Sequence, residues 1–314
     1  MSLISLLGAL EIGLIFALVA LGILISFRIL NFPDMTTDGS FPLGGAVAAV
    51  LIIGGYNPWL ACLGAATAGA IAGFITGWLN VRLGILQLLS SILMMIALYS
   101  INLRIMGAPN LPLLGEATVF TPFLPEEGDS MWVQPLVLAG VVLAVKILLD
   151  LFFASQLGLA LRATGANERM ARSQGISTGW ITLGGMALAN ALTAFAGALY
   201  VQTQGGADIS MGLGTIVIGL AALIIGETLI PARKLWIVTM ATVIGAVLYR
   251  LLIALALQAD FIGLQAQDLN LVTAVLVGVA LVLPKIKARL RNRNAVAQAC
   301  NKQGEAHDAR QQSV

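Results

Sequence analysis

Apolar stretches long enough to cross a bilayer recur almost without interruption over residues 1–284 of this 314-residue chain. Hydrophobic residues make up 59% of the sequence and charged residues only 10%, whereas soluble domains carry about 25% charged residues. Because a helix needs about 20 apolar residues to cross the hydrocarbon core, and because backbone polar groups must be satisfied there, each stretch is predicted to be a helix. The sequence therefore predicts an all-α, polytopic transmembrane helical bundle.

Two of the predicted segments, at about 40–55 and 212–227, are shorter than the rest and rich in glycine. They are candidates for broken or partly inserted helices, and the sequence leaves open whether they span fully, so eight or nine segments are expected. The other segments are predicted at about 5–27, 59–80, 86–106, 132–154, 179–203, 235–257 and 268–284.

The distribution of basic residues predicts the orientation in the membrane. Five Lys and Arg residues lie between Lys285 and Arg293, and the positive-inside rule assigns such a cluster to the cytoplasm. Counting back through nine crossings places the N-terminus outside. We expect a membrane domain over residues 1–284 and a disordered basic cytoplasmic tail over residues 285–314.

The residues that usually carry catalysis or bind metals are sparse. Cys62 and Cys300 lie far apart in the sequence, and the single histidine, His307, lies in the tail, so neither a disulfide framework nor a metal site is expected. The sequence contains no G-x-x-x-x-G-K-[ST] phosphate loop, which predicts that the chain does not hydrolyse ATP itself. We expect no catalytic residue, no cofactor and no nucleic-acid partner, and energy that comes from another subunit or from an ion gradient.

The two short segments share a sequence pattern. D-x-S-x-x-L-G-x-x-V occurs at 38–47 and again at 208–217, a constant offset of 170 residues. An odd number of crossings between the copies predicts an inverted repeat with halves at about 5–106 and 179–284, an arrangement typical of transporters with interrupted helices. Asp38 and Asp208 either cap the short helices or lie directly on a transport path.

Polar side chains within the predicted spans are candidates for lining such a path. Uncharged amides and hydroxyls in a bundle more often hydrogen-bond between helices, so that alternative remains open for each of them. The candidate path residues are Asp38, Ser40, Gln87, Ser90, Ser91, Asn190, Asp208 and Ser210.

The loop between the fifth and sixth segments, residues 156–177, is too polar to span and is predicted to form short helices on the cytoplasmic face. We expect Gly165 to interrupt the first helix and Asn167 to cap the second. The loop follows the pattern G-x-A-x-R-A-x(3)-N-x(3)-A-x(3)-G. The candidate functional residues of the loop, all but Gly165 of them fixed by the pattern, are Gly158, Ala160, Arg162, Ala163, Gly165, Asn167, Ala171 and Gly175.

This pattern resembles the cytoplasmic coupling loop of ABC transporter permeases of the branched-chain amino acid type, and residues 13–32 resemble their first helix. The resemblance extends over about residues 5–284. It implies a multi-pass permease of the bacterial inner membrane that forms the translocation path of an importer. It also implies a second permease copy, identical or similar, ATPase subunits that bind the ATP, and an extracytoplasmic solute-binding protein.

Residues 33–40 differ from the commonest sequence of that family and look like a subgroup associated with proposed aromatic amino acid uptake, such as tryptophan or tyrosine. The resemblance thus implies an amino acid or a similar small solute as cargo. An ion-coupled secondary transporter with inverted repeats is the alternative function, and a membrane scaffold without transport activity is a third.

Overall fold

A computed structural model describes residues 3–123, 132–231, 234–258 and 278 of the chain. Within these residues the chain is a helical bundle with one short two-stranded sheet, and a π-helical turn, Leu24–Ile29, extends the first helix. The helices are α1 (Leu3–Ile23), α2 (Thr37–Ile53), α3 (Pro58–Leu83), α4 (Gln87–Met106), α5 (Val133–Ala154), α6 (Gln156–Ala166), α7 (Glu168–Ser173), α8 (Thr178–Gln204), α9 (Thr215–Leu229) and α10 (Leu235–Gln258); the strands are β1 (Asn110–Pro112) and β2 (Gly206–Asp208).

Eight of the nine predicted segments coincide with α1–α5 and α8–α10, with ends that agree within three residues when the π-helical turn is counted with α1. Six of these helices are long and apolar enough to cross a membrane, and α2 and α9 are shorter apolar helices, as predicted. The polytopic helical bundle is confirmed. The ninth predicted segment, 268–284, and the tail 285–314 lie outside the described residues.

Helix α1 lies at the centre of the bundle. Residues 14–25 are almost entirely buried, and α1 packs against α5, α8, α9 and α10. A helix that is apolar on every side can be covered by other helices or by lipid. The first helix is covered by other helices, since it is the most buried of the six candidate spans among the described residues, whereas the equally hydrophobic α5 is largely exposed on the bundle surface.

Helices α3 and α8 pack through small residues. A Cβ atom built on Gly69 would lie 2.4 Å from the carbonyl oxygen of Asn190, and one built on Gly73 would lie 2.2 Å from that of Met186. The two glycines, spaced as G-x-x-x-G, therefore allow the backbones to approach more closely than any other residue would permit.

The strands join two loops at one end of the bundle. Asn110 pairs with Asp208 and Pro112 with Gly206 in an antiparallel register. Beside the ladder, the backbone N–H of Val119 donates to Oε1 of Gln202 at 2.8 Å. The loop after α4 is thereby tied both to α8 and to the segment that leads into α9.

Helices α2 and α9 begin next to each other inside the bundle and run in opposite directions. A Cβ atom on Gly212, just before α9, would lie 2.1 Å from the carbonyl oxygen of Asp38 in the first turn of α2. Helix α2 then runs toward the start of α3, whereas α9 runs toward the end of α1, where Glu227 forms an ion pair with Arg28 at 2.8 Å. Each short helix therefore extends from the interior to a different end of the bundle.

Candidate functional site

Asp38 joins the starts of the two short helices. Its Oδ1 atom accepts a hydrogen bond from the backbone N–H of Ile216, in the first turn of α9, at 2.8 Å. The first amides of a helix have no partner within the helix and carry a partial positive charge, so a carboxylate stabilises them. Asp38 therefore caps α9 while it lies in the first turn of α2, where an acidic residue is also favourable.

A second buried carboxylate, Asp34, lies just before α2 and was not among the predicted path residues. It has no exposed surface. Its Oδ1 accepts from the backbone N–H of Thr36 at 2.9 Å, and its Oδ2 accepts from Nδ2 of Asn190 at 2.8 Å. The only sequence signal was a second acid four residues before Asp38, and it lies outside the repeated pattern.

The network continues onto α2 and α3. Ser40 donates from its hydroxyl to Oδ1 of Asn190 at 2.7 Å, and the hydroxyls of Thr36 and Thr76 are 2.9 Å apart. Two predicted path residues, Ser40 and Asn190, are thus brought together, but they are buried and bonded to each other. Their hydrogen bond connects α2 to α8, and the contact between Thr36 and Thr76 adds α3, as buried polar groups in a bundle commonly do.

Asp208 differs from its expected position. The sequence pattern placed it at the opening of the second short segment, yet α9 begins seven residues later, at Thr215. Asp208 ends β2 instead, and its Oδ1 accepts from the backbone N–H of Ser210 at 2.7 Å and from the Ser210 hydroxyl. This is the same turn that Asp34 makes with Thr36, so by local structure Asp34, rather than Asp38, is the counterpart of Asp208.

The three predicted path residues on α4 lie apart from this centre. The hydroxyls of Ser90 and Ser91 donate to carbonyl oxygens of their own helix, at 2.8 and 2.9 Å. Gln87 lines a polar cavity of about 260 Å³ together with Glu168 and Arg172, at the end of the bundle that carries α6 and α7. The eight predicted residues therefore do not form one site.

Asp38 and Ser210 line a different cavity, of about 380 Å³, between α2, α4 and the chain that precedes α9. Its walls are mainly apolar, and Asn102 on α4 is among the residues that line it. Asn102 is 1% exposed and donates from Nδ2 to the carbonyl oxygen of Gly39 at 3.2 Å. This cavity combines the start of α2 with the approach to α9.

The predicted coupling loop forms two short helices, α6 and α7. Ser155 caps α6 by accepting from the backbone N–H of Gly158 at 3.4 Å, and Asn167 caps α7 by accepting from that of Met170 at 3.1 Å. The prediction for Asn167 is confirmed. Gly175 has φ = 82° two residues after α7, a backbone conformation that favours glycine.

Gly165 does not interrupt the first loop helix, which corrects the prediction. It lies within α6, and the chain breaks instead at Asn167, whose φ is −158°. A Cβ atom on Gly165 would lie 1.7 Å from the carbonyl oxygen of Ile29. Glycine is needed at this position because α6 rests directly on the end of the first membrane helix.

The rest of the loop divides into a face that packs on the bundle and a face that is exposed. Gly158 lies against the backbone of Phe152 and Phe153, and Leu161 and Ala171 are buried. The exposed face carries small residues, several charges and the large apolar side chain of Met170, which is 63% exposed; Leu157 and Leu159 of α6 are exposed as well. This face includes Ala163, Ala166, Asn167, Arg169 and Met170.

The sequence profile of the family described as "Branched-chain amino acid transport system / permease component" matches residues 5–284. The chain belongs to this permease family. It is a membrane-spanning permease component of an ABC transport system, which decides against the ion-coupled transporter and the scaffold. Membership implies that the permease works with ATPase and solute-binding partners.

Two curated proteins show the relationship in sequence. The permease is 39% identical over 284 residues, 90% of its own length and 92% of the other, to the "Tyrosine transport system permease protein" of Clostridioides difficile (strain R20291). It is 37% identical over 222 residues, 71% of its length and 76% of the other, to an uncharacterized protein of Rickettsia prowazekii (strain Madrid E). Among solved structures, "PsaBC from Streptococcus pneumoniae in complex with Fab" is similar, with a TM-score of 0.49 and 16% identity over 88% of this chain and 89% of the other.

Proposed function

We propose that this permease imports an apolar or aromatic amino acid across the bacterial inner membrane and takes its energy from ATPase subunits that bind the α6–α7 loop. The cargo follows from two observations, the similarity to a protein named as a tyrosine transport permease and the mainly apolar cavity beside Asp38. Two permease subunits, identical or similar, would bind two ATPases and receive the amino acid from an extracytoplasmic solute-binding protein. ATP would be bound by the ATPases, and the permease itself would need no cofactor.

The α6–α7 loop is the observation that carries this proposal. Its inner face rests on the backbone of Ile29 through Gly165, so a displacement of the loop is transmitted directly to the end of α1. Its outer face presents Met170 and Arg169 to solvent. An exposed apolar side chain flanked by charges suits docking into a cleft on another protein.

The proposed orientation places the α6–α7 end in the cytoplasm, with the N-terminus outside. Basic residues are concentrated at this end, as the positive-inside rule requires. Arg28 ends α1 there, Arg82 lies in the last turn of α3, and the loop itself carries Arg162, Arg169 and Arg172. The opposite end carries β1, β2 and the loop from Gly107, which we propose as the docking surface for the solute-binding protein.

The first experiment is purification of the tagged permease from its native membrane in mild detergent, with mass spectrometry of the proteins that copurify. We expect a P-loop ATPase with the wild type, and its loss in Arg169→Glu and Met170→Asp, which change exposed side chains only. Arg104→Glu, at the opposite end of the bundle, is the matched control and should retain the ATPase. Equal recovery of the ATPase with all four proteins would overturn the assignment of the docking face.

Cargo is tested separately by uptake of radiolabelled L-tyrosine, L-leucine, L-lysine and D-glucose into cells that carry or lack the permease gene. Uptake of L-tyrosine that depends on the permease supports the proposed cargo. Preferential uptake of a charged amino acid or a sugar would contradict it, whereas the docking of the ATPase would stand.

A further inference from the structure

The cavity between α2, α4 and the chain before α9 has the size and the walls of a small-molecule site. Its volume of about 380 Å³ lies within the range of about 300–1,000 Å³ that is usual for ligand pockets. Pro42, Met95, Ile96 and Leu213 form most of its apolar wall. Such sites typically contain a few polar groups that orient the ligand. Of the polar residues that line this cavity, which include Ser100 and Ser210, Asn102 and Asp38 offer acceptors with capacity for a ligand.

The first polar group is the side-chain oxygen of Asn102. The amide nitrogen donates to the carbonyl oxygen of Gly39, which fixes the orientation of the amide and leaves Oδ1 as an acceptor. Oδ1 is buried and has no hydrogen-bond partner in the described part of the chain. A buried acceptor without a donor is energetically costly. A ligand that donates a hydrogen bond to Oδ1 would remove this cost.

The second polar group is the carboxylate of Asp38. Its Oδ1 accepts from Ile216, but a carboxylate offers about four acceptor positions, so capacity for a ligand remains. A charge at this depth normally faces a partner of opposite sign. No Lys or Arg is among the described residues that line the cavity, and the partial positive charge at the start of α9 compensates Asp38 only in part.

Asn102 and Asp38 together, one neutral and one charged acceptor, in a cavity whose described lining includes no Lys or Arg, favour a cationic donor. A primary ammonium group has three N–H donors and one positive charge, which matches Asp38 and Asn102 together. The apolar wall suits a hydrophobic body, and Tyr99 and Met95 provide an aromatic face and a polarisable sulfur that favour a ring.

We propose that this cavity binds a primary ammonium group carried on an apolar body of aromatic size, with Asp38 and Asn102 holding the ammonium and Tyr99 and Met95 contacting the ring. The inference rests on the proposed import of an apolar amino acid and makes it more specific. The permease thus recognises the amino group of the cargo, rather than its carboxylate, at the place where the two short helices begin.

The test uses 4-azido-L-phenylalanine as a photoreactive probe on the full-length permease in its native membrane, so that its partner subunits are present. Labelled peptides are mapped by mass spectrometry, and two competitors are compared. Tyramine has the ammonium without the carboxylate, and 3-(4-hydroxyphenyl)propanoate has the carboxylate without the ammonium. We expect labels at residues 95–99 or 209–213, and competition by tyramine at a concentration at least about tenfold lower than that needed for the propanoate.

Four variants separate binding from folding. Asp38→Asn keeps a side chain that can cap α9 but removes the charge, and Asn102→Leu removes the free acceptor, so each should weaken labelling by about tenfold or more. Tyr99→Leu should also weaken labelling. Tyr56→Leu is its matched control, because Tyr56 is 62% exposed and Tyr99 57% exposed, and only Tyr99 lines the cavity. Elution as a monodisperse species in detergent verifies that each variant is folded.

Labels at other residues, equal competition by the two analogues, or full labelling of Asp38→Asn and Asn102→Leu would overturn the inference. Uptake measured in parallel keeps this result distinct from the proposed function. If L-tyrosine uptake is normal in both variants, the permease function stands and the site is wrong. If the wild type neither imports L-tyrosine nor retains an ATPase, the proposed function itself fails.

Discussion

Asn190 on α8 donates its side-chain amide to Oδ2 of Asp34 at 2.8 Å, and neither residue is more than 1% exposed. Because Asn190 also accepts from Ser40, a single amide holds the chain on both sides of the start of α2. A short helix that begins inside the bundle needs such a fixed starting point, since its first turn is not anchored by a membrane surface.

Removing this amide should destabilise the protein. We expect Asn190→Leu to cost about 3 kcal/mol, because it leaves the buried oxygens of Asp34 and Ser40 without a partner. Unfolding of the purified permease in mixed micelles measures the change. Thr193→Val, one turn further along α8, is the control, because the Thr193 hydroxyl donates to the carbonyl of Ala189 in its own helix. Equal destabilisation by the two substitutions would contradict the role of the network.

The contact between α3 and α8 should not tolerate an added methyl group at Gly73. The methyl group would meet a backbone oxygen that cannot rotate away, so we expect Gly73→Ala to destabilise the protein by about 1–3 kcal/mol. Gly184→Ala, on α8, faces open space and should be neutral or stabilising by up to about 1 kcal/mol. The same unfolding measurement checks both, and a stable Gly73→Ala protein would show that the helices separate at no cost.

Gly165→Ala should uncouple ATP hydrolysis from transport while the ATPase stays bound. The added methyl group must push α6 away from Ile29, whereas the exposed docking face is unchanged. We expect L-tyrosine uptake to fall by about fivefold or more at equal ATPase content. A change of this size lies within the usual range of coupling between two sites of a protein. Gly140→Ala, on α5, where an added methyl group meets open space, should leave uptake unchanged. Loss of the ATPase from Gly165→Ala would instead mean that the substitution disrupts the docking face.

The orientation can be tested by labelling single cysteines with a membrane-impermeant maleimide. In a Cys300→Ser background, Tyr56→Cys, between α2 and α3, should react in intact cells. Gln174→Cys, after α7, should react only after permeabilisation, and Cys62 is buried and should stay unlabelled. The reverse pattern would place the α6–α7 end outside and would refute the proposed topology.

Hydropathy predicted the bundle well because a membrane helix forms its backbone hydrogen bonds within itself. The length and polarity of each stretch therefore nearly determine whether it is a membrane helix. Segments as different as α4 and α9 were located within three residues. Asn167 could also be predicted, because capping is a local interaction between residues three positions apart.

The arrangement of the polar residues could not be predicted in the same way. Asp34 meets Asn190 across 156 positions of sequence, and Asp38 meets Ile216 across 178, so each contact depends on how whole helices pack. The repeated pattern matched Asp38 with Asp208, but the turns show that Asp34 has the equivalent geometry. Gly165 looked like a helix breaker because its partner, the backbone of Ile29, is remote in sequence.

The ladder of β1 and β2 connects the loop after α4 to the wall of the cavity. The strands are joined by backbone hydrogen bonds. A displacement of the loop after α4 would therefore also displace residues 206–208. The next two residues, Ile209 and Ser210, already belong to the cavity wall. If the solute-binding protein docks on the loop after α4, as we propose, its binding would therefore displace the wall of the cavity where the two short helices begin.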